Sequence, residues 1–170
     1  MEVGDPSLDE VVCGPVIDAK NADRVQSWVK EAVDGGARMV CGGEREQNLV
    51  QPVFLENVES SAKVKCAEVF GPVVVLDRYS TESEAIDRVN DSVFGLQTGV
   101  FTDRLSFLWR CYEELEVGGV IHNDFPTFRV DHMPYGGVKE SGLGREGISY
   151  AMEDYTERRI LALRPGGPPR

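Results

Sequence analysis

The stretch that decides the fold is Val73 to Ile121, VVVLDRYSTESEAIDRVNDSVFGLQTGVFTDRLSFLWRCYEELEVGGVI. It opens on four consecutive apolar residues, Val73 to Leu76. Such a run suits a parallel strand covered on both faces. Thr81 followed by Glu84 is a capping box, which opens a helix reaching about Asn90. Gln97 to Phe101 reads as a second strand. Asp103 then starts a helix whose apolar face is Leu105, Leu108, Trp109, Tyr112 and Leu115. Gly118 to Ile121 is a third strand. Strand, helix, strand, helix, strand implies two crossovers and a mostly parallel sheet flanked by helices, an α/β fold.

The flanks extend this pattern. Asp18 can cap a helix running to about Asp34. Its positions Ala22, Val25, Trp28, Val29, Ala32 and Val33 fall at helical spacing, and Gly35-Gly36 stop it. Arg38 to Cys41 is a short strand ended by Gly42-Gly43, and Gln51 to Val58 is another extended piece. Met1 to Gly14 reads as an incomplete beginning, with turn chemistry at G-D-P. Ile148, Ala151, Met152 and Tyr155 mark a short amphipathic helix. Arg159 to Leu163 is a final strand before a frayed Pro/Gly tail.

The bulk numbers bound the partners. A length of 170 residues supports one domain with a sizeable core, and 41% apolar with 28% charged residues is ordinary for a globular protein. The net charge of -11 argues against nucleic acid and against anionic membrane surfaces. No run is long enough for a membrane span, and no signal peptide opens the chain. The four cysteines, Cys13, Cys41, Cys66 and Cys111, are scattered without a C-x-x-C pair. Reduced thiols in the cytoplasm, with no disulfide framework and no metal site, are the expectation.

Ligands of parallel sheets bind at the carboxyl ends of strands. The long segment after Ile121, running to Gly147, leaves one such end. It holds both histidines (His122, His132), the aromatics Phe125, Phe128 and Tyr135, Arg129 and a glycine cluster. Its aromatics argue against disorder, so it reads as the wall of a site. Gly142 to Gly147 matches G-x-G-x-x-G, but no strand precedes it, so it reads as tight turns entering the last helix. Arg129 can pair with Asp131 or face an anionic group bidentately. The two histidines read as packing or hydrogen-bonding residues. Glu68, in the apolar turn A-E-V-F-G-P, can be a solvated carboxylate, accept backbone N–H bonds, or hold a diol such as a ribose. Among the thiols only Cys66, in a loop near Glu68, is a foil for a nucleophile.

These residues resemble the NAD(P)-dependent aldehyde dehydrogenases. E-V-F-G-P at Glu68 to Pro72 matches a motif of that family. So, in order, do C-G-P-V-I from Cys13, G-A-R-x-x-x-G-G from Gly36, N-D-S-V-F-G-L from Asn90, V-F-T from Val100, G-G-V-I-H-N from Gly118, M-P-Y-G-G-V-K-E-S-G-L-G-R-E-G from Met133 and E-D-Y-T from Glu153. The resemblance covers essentially the whole chain. It implies a partial catalytic domain over residues 1–155, an oligomerisation strand over 156–164 and a tail over 165–170.

In the family a cysteine thiolate attacks the aldehyde, hydride passes to the nicotinamide of NAD or NADP, and water activated by a glutamate releases the acid. By resemblance Glu68 would hold the nicotinamide ribose and Phe70 would pack near the nicotinamide. Phe128, Tyr135 and Phe125 would line the aldehyde tunnel. The F-R-V-D-H-M-P-Y-G-G form is most similar to dehydrogenases of small hydroxyaldehydes, lactaldehyde or glyceraldehyde 3-phosphate. Arg129 would then meet a phosphate or carboxylate.

The departures are as informative. No cysteine here stands in the family's G-Q-x-C setting, the general-base glutamate and cofactor domain have no counterpart, and Ala67 replaces a glutamate common before the motif. The resemblance therefore implies a small-aldehyde enzyme's fragment, inactive alone, with no catalytic residue of its own, binding no cofactor by itself and forming homo-oligomers. The alternatives are a non-catalytic self-association module and a free-standing cysteine hydrolase using Cys66.

Overall fold

A computed structural model describes residues 2–167. The chain forms two compact units, Met1–Ser80 and Thr81–Arg170. Among the described residues no helix is long and apolar enough to cross a membrane.

The first unit is built on helix α1 (Ala19–Asp34). Asp18 caps it as expected: its backbone is extended and its carboxylate accepts the Asn21 N–H at 2.7 Å. Ala22, Val25, Val29 and Ala32 form one buried stripe, and Gly36, at φ 104°, takes the turn that ends the helix. Strand β1 (Arg38–Cys41), a hairpin of β2 (Arg45–Glu46) and β3 (Leu49–Val50), strand β4 (Val53–Glu56), a single helical turn α2 (Lys63–Cys66) and strand β5 (Val73–Leu76) follow. The sheet order is β1-β4-β5, with β4 antiparallel to β1 and parallel to β5. Val53, Leu55, Val50 and the α1 stripe make the core, with Leu55 and Val25 fully buried. Residues 2–14 are tied into the first unit. They close a turn in which Gly4 N–H donates to Cys13 O at 3.1 Å and Asp5 accepts from Ser7.

The apolar run Val73–Leu76 is covered on one face only. Val73 and Val75 pack on the core, whereas Val74 and Leu76 are exposed. Successive strand residues point to opposite faces, and among the described residues only the α1 side of this sheet carries a covering layer.

The second unit begins with α3 (Glu82–Asn90), capped by Thr81, whose Oγ1 accepts the Glu84 N–H at 3.2 Å. Then come β6 (Phe94–Gly95), β7 (Gln97–Val100), α4 (Leu105–Glu114), β8 (Gly119–His122), β9 (Val138–Lys139) and α5 (Ile148–Asp154). β7 and β8 are parallel, joined by α4, which is the predicted crossover. β6 and β9 are antiparallel. The pairing is thus mixed. Within the first unit β5 ladders with β4, and within the second β7 ladders with β8.

Helix α4 departs from its predicted face. Cys111 and Leu115 are buried with Ile86 and Val100, and Phe107 and Leu108 pack beside them, while Leu105, Trp109 and Tyr112 are 64%, 61% and 65% exposed. Its cap position is Arg104 rather than Asp103, and Thr102 Oγ1 accepts the Arg104 N–H. Arg159–Leu163 forms no ladder with the described residues of this chain, and its Ile160, Leu161 and Leu163 are at least 80% exposed. The tail predicted for 165–170 lies partly outside the described residues.

Candidate functional site

In the first unit the chain leaves α2 through Ala67 and runs into Glu68-Val69-Phe70-Gly71-Pro72. Glu68 is exposed, and among the described residues its carboxylate makes no hydrogen bond or ion pair. That removes the reading in which backbone N–H groups hold it. Phe70 sits at φ 47° with its side chain 72% exposed. A left-handed aromatic residue costs on the order of 1–3 kcal/mol and persists only where its surroundings fix it.

The surroundings are visible. Val53 N–H donates to Pro72 O and Val73 N–H to Gly71 O, both at 2.8 Å. Gly71 lies so close to α1 that a Cβ there would come within 2.7 Å of Val25 Cγ2. The core therefore pins the loop from behind and leaves Glu68 and Phe70 facing outward. Cys66 is not in this loop: it ends α2, its Sγ 3.5 Å from Ser61 O.

In the second unit the segment after β8 is tied down residue by residue. His122 Nε2 donates to Thr102 O at 2.8 Å, and Asn123 Oδ1 accepts the Thr102 N–H at 2.8 Å. The histidine thus serves as a hydrogen-bonding residue. Phe125 meets Phe101 edge to face at 5.7 Å, and Phe128 O accepts from Gln97 Nε2 at 3.4 Å. Farther on, Tyr135 and Glu146 exchange two backbone hydrogen bonds, with N–O distances of 3.1 and 2.6 Å.

Arg129 lies over the Tyr135 ring at 4.7 Å and pairs with Glu146 at 3.2 Å. The expected partner Asp131 is displaced, because the Tyr135–Glu146 bridge delivers a carboxylate from the glycine-rich segment to the guanidinium. Arg129, Tyr135, Arg145 and Glu146 share the lining of an open cavity of about 780 Å³. Phe125 and Phe128 are not in that lining, so the structure joins Arg129 and Tyr135, two of the four predicted substrate-contacting residues. Glu146 is the residue the sequence reading missed. Its only local signal was membership of the G-x-G-x-x-G run. In that run Gly142, Gly144 and Gly147 all have positive φ, and Gly147 caps α5, so the run is a set of turns.

The remaining candidates carry no arranged chemistry. Cys111 is buried on α4, and burial pushes its thiol pKa up. Among the described residues no group of three or more His, Cys, Asp or Glu side chains could hold a metal ion.

A strained, outward-facing E-V-F-G-P loop and a wall running from G-G-V-I-H-N to G-L-G-R-E-G lie within residues 1–161, which match the aldehyde dehydrogenase family as a whole. The chain belongs to the aldehyde dehydrogenase family. Over 161 residues it is 50% identical to 3-sulfolactaldehyde dehydrogenase of Priestia aryabhattai, a match covering 95% of this chain and 34% of the relative. Its fold superposes on aldehyde dehydrogenase 21 of Physcomitrella patens, solved with the reaction product succinate, at TM-score 0.94 and 42% identity, covering 98% of this chain and 35% of that one. Glyceraldehyde-3-phosphate dehydrogenase GapN of Methanocaldococcus jannaschii, solved with NADP, superposes at TM-score 0.84 and 41% identity over 91% of this chain and 33% of its own. This aldehyde dehydrogenase chain thus spans about a third of the length of the relatives it matches.

Proposed function

We propose that this chain supplies the cofactor-clamping loop and one wall of the aldehyde tunnel in a cytoplasmic, NAD- or NADP-dependent aldehyde dehydrogenase. The observation that carries the reading is the Glu68–Phe70 loop. A carboxylate without internal partners and an aromatic ring held outward at a backbone cost are placed to meet something outside the chain. Glu68 would accept hydrogen bonds from ribose hydroxyls and Phe70 would offer an apolar edge to the nicotinamide ring; NAD or NADP held there would supply a hydride acceptor.

In the second unit Tyr135, Phe128 and Phe125 line the aldehyde's path, and Arg129 takes the anionic end of the substrate. Three relatives named above act on sulfolactaldehyde or glyceraldehyde 3-phosphate, or were solved with succinate, all of which carry a second, anionic group. The four free cysteines accord with a reducing compartment.

The test is a chimera in which this chain replaces the matching third of the Priestia enzyme. It is expected to oxidise an anionic aldehyde with NAD+ or NADP+. Glu68→Gln in the chimera is expected to weaken cofactor binding about 10- to 100-fold, the size of lost charge-assisted hydrogen bonds. A folded chimera without turnover sinks the reading, and unchanged cofactor affinity removes Glu68 from it.

A second reading, self-association without catalysis, is favoured by the exposed Ile160, Leu161 and Leu163. An extended apolar segment with no ladder partner is a template for a second copy. Sedimentation of the chain is expected to show oligomers that Leu161→Lys reduces to monomer. A strictly monomeric chain at every concentration counts against it.

A further inference from the structure

We propose that Glu146 is a built-in competitor for Arg129: an internal carboxylate that the anionic end of a substrate must displace. The proposal rests on the reading of Arg129 as the contact for that anionic end, and it adds what sets the strength and selectivity of the contact.

Three observations carry it. First, the guanidinium is positioned from two sides. The Tyr135 ring lies 4.7 Å beneath it and Glu146 Oε2 lies 3.2 Å from Nη2. Tyr135 and Glu146 are locked to each other through their backbones. The arginine is thus held in place by one partner whether or not it is paired with the other. Second, the pair is open to exchange. The Arg129 and Glu146 side chains are 48% and 66% exposed, so the ion pair is weakly held and a competing anion can reach it. Third, the other charges of the cavity are committed or repulsive. Arg145 Nη1 donates to Gly137 O and Gly144 O at 2.9 and 2.7 Å, while Asp131 and Asp154 are acidic. Arg129 is therefore the cation in this cavity whose partner is an exchangeable carboxylate rather than the backbone.

The consequence is selectivity. A neutral aldehyde leaves the Arg129–Glu146 pair closed. A carboxylate, phosphate or sulfonate can replace one Nη2–Oε2 contact with a bidentate pair of hydrogen bonds. Once displaced, the Glu146 carboxylate moves toward solvent, where it is already largely exposed. The cavity thus favours aldehydes with an anionic tail able to outcompete a carboxylate.

The test uses the 170-residue chain and methanesulfonate as the probe, followed through the Arg129 side-chain NMR signals against a matched chloride titration. The wild-type chain is expected to bind weakly, with the Arg129–Glu146 contact loosening as the probe saturates. Glu146→Gln is expected to bind about tenfold more tightly at low ionic strength, because both the competing pair and a nearby like charge are gone. Arg129→Gln is expected to lose the site.

Glu146→Gln binding no better than wild type, with Arg129→Gln still abolishing binding, overturns the competitor role and leaves Arg129 as the anion contact. Arg129→Gln binding as wild type does overturns both. Unchanged backbone amide signals at Tyr135 and at position 146 check that the Glu146→Gln variant keeps the backbone bridge. If the bridge is lost, the wild-type loosening decides alone: a contact that persists at saturation overturns the proposal.

Discussion

Incubated with an aldehyde and NAD+ or NADP+, the 170-residue chain is expected to form no reduced nicotinamide above the uncatalysed rate. Covalent aldehyde oxidation needs a thiolate, and a thiolate at neutral pH needs a base, a cation or a helix N-terminus beside it. Among the described residues none of the four thiols hydrogen-bonds to a base, and the Arg110 beside Cys111 is outweighed by burial. Cys111 is buried in α4 with its thiol pKa raised by that burial. Cys13 is half-buried, its Sγ 3.7 Å from Gly14 O. Cys41 is exposed on β1, and Cys66 ends α2 with its Sγ turned to a carbonyl rather than a base. The ring Nε2 of His122 is engaged with Thr102 O. The missing effect is the whole enzymatic enhancement, roughly 10⁶-fold or more. The absorbance of reduced nicotinamide, followed with the chain and with Cys66→Ser, checks it. Turnover that Cys66→Ser abolishes would establish a thiol route to aldehyde oxidation in this chain.

Leu55→Ala is expected to destabilise the first unit by about 2–5 kcal/mol, the range for deleting a fully buried leucine side chain. Leu55 is at 0% exposure on β4, the strand between β1 and β5, and packs in one cluster with the α1 stripe. The effect should reach the candidate site. The Glu68–Phe70 loop hangs from the same strand through the Val53 N–H to Pro72 O bond, and Gly71 rests on Val25. Urea unfolding gives the stability change. Hydrogen exchange should show the amides of Val53 and Val73 losing protection together, since both close the base of the loop. A loss under about 1 kcal/mol, or a loop that stays protected, would mean that Phe70 is not held by this core.

Local signals were legible wherever a few neighbouring residues decide the outcome. Asp18 and Thr81 announce their helices because a cap is a bond between residues three apart. The E-V-F-G-P turn is legible for the same reason, and its match to the family let Glu68 and Phe70 be named from sequence. The α4 face was legible only in part: Leu108 and Leu115 pack as read, whereas Leu105, Trp109 and Tyr112 do not. Leu105, Trp109 and Tyr112 make as good a helical stripe as Phe107, Cys111 and Leu115. Which stripe is buried depends on where β7, β8 and α3 lie, and the helix alone does not record that. The run Val73–Leu76 failed similarly, because four apolar residues do not tell whether a second layer covers them.

By itself, then, the sequence determined the family, most of the longer helices and strands, and the two motifs proposed to face the cofactor and the aldehyde. Each of these is carried by short-range chemistry or by an ordered series of local matches. Only the tertiary structure decided the partner of Arg129. Asp131 is its neighbour in the chain, but the antiparallel bridge between Tyr135 and Glu146 brings a distant carboxylate to 3.2 Å. An ion pair is set by distance in space, and folding, rather than sequence separation, fixes that distance.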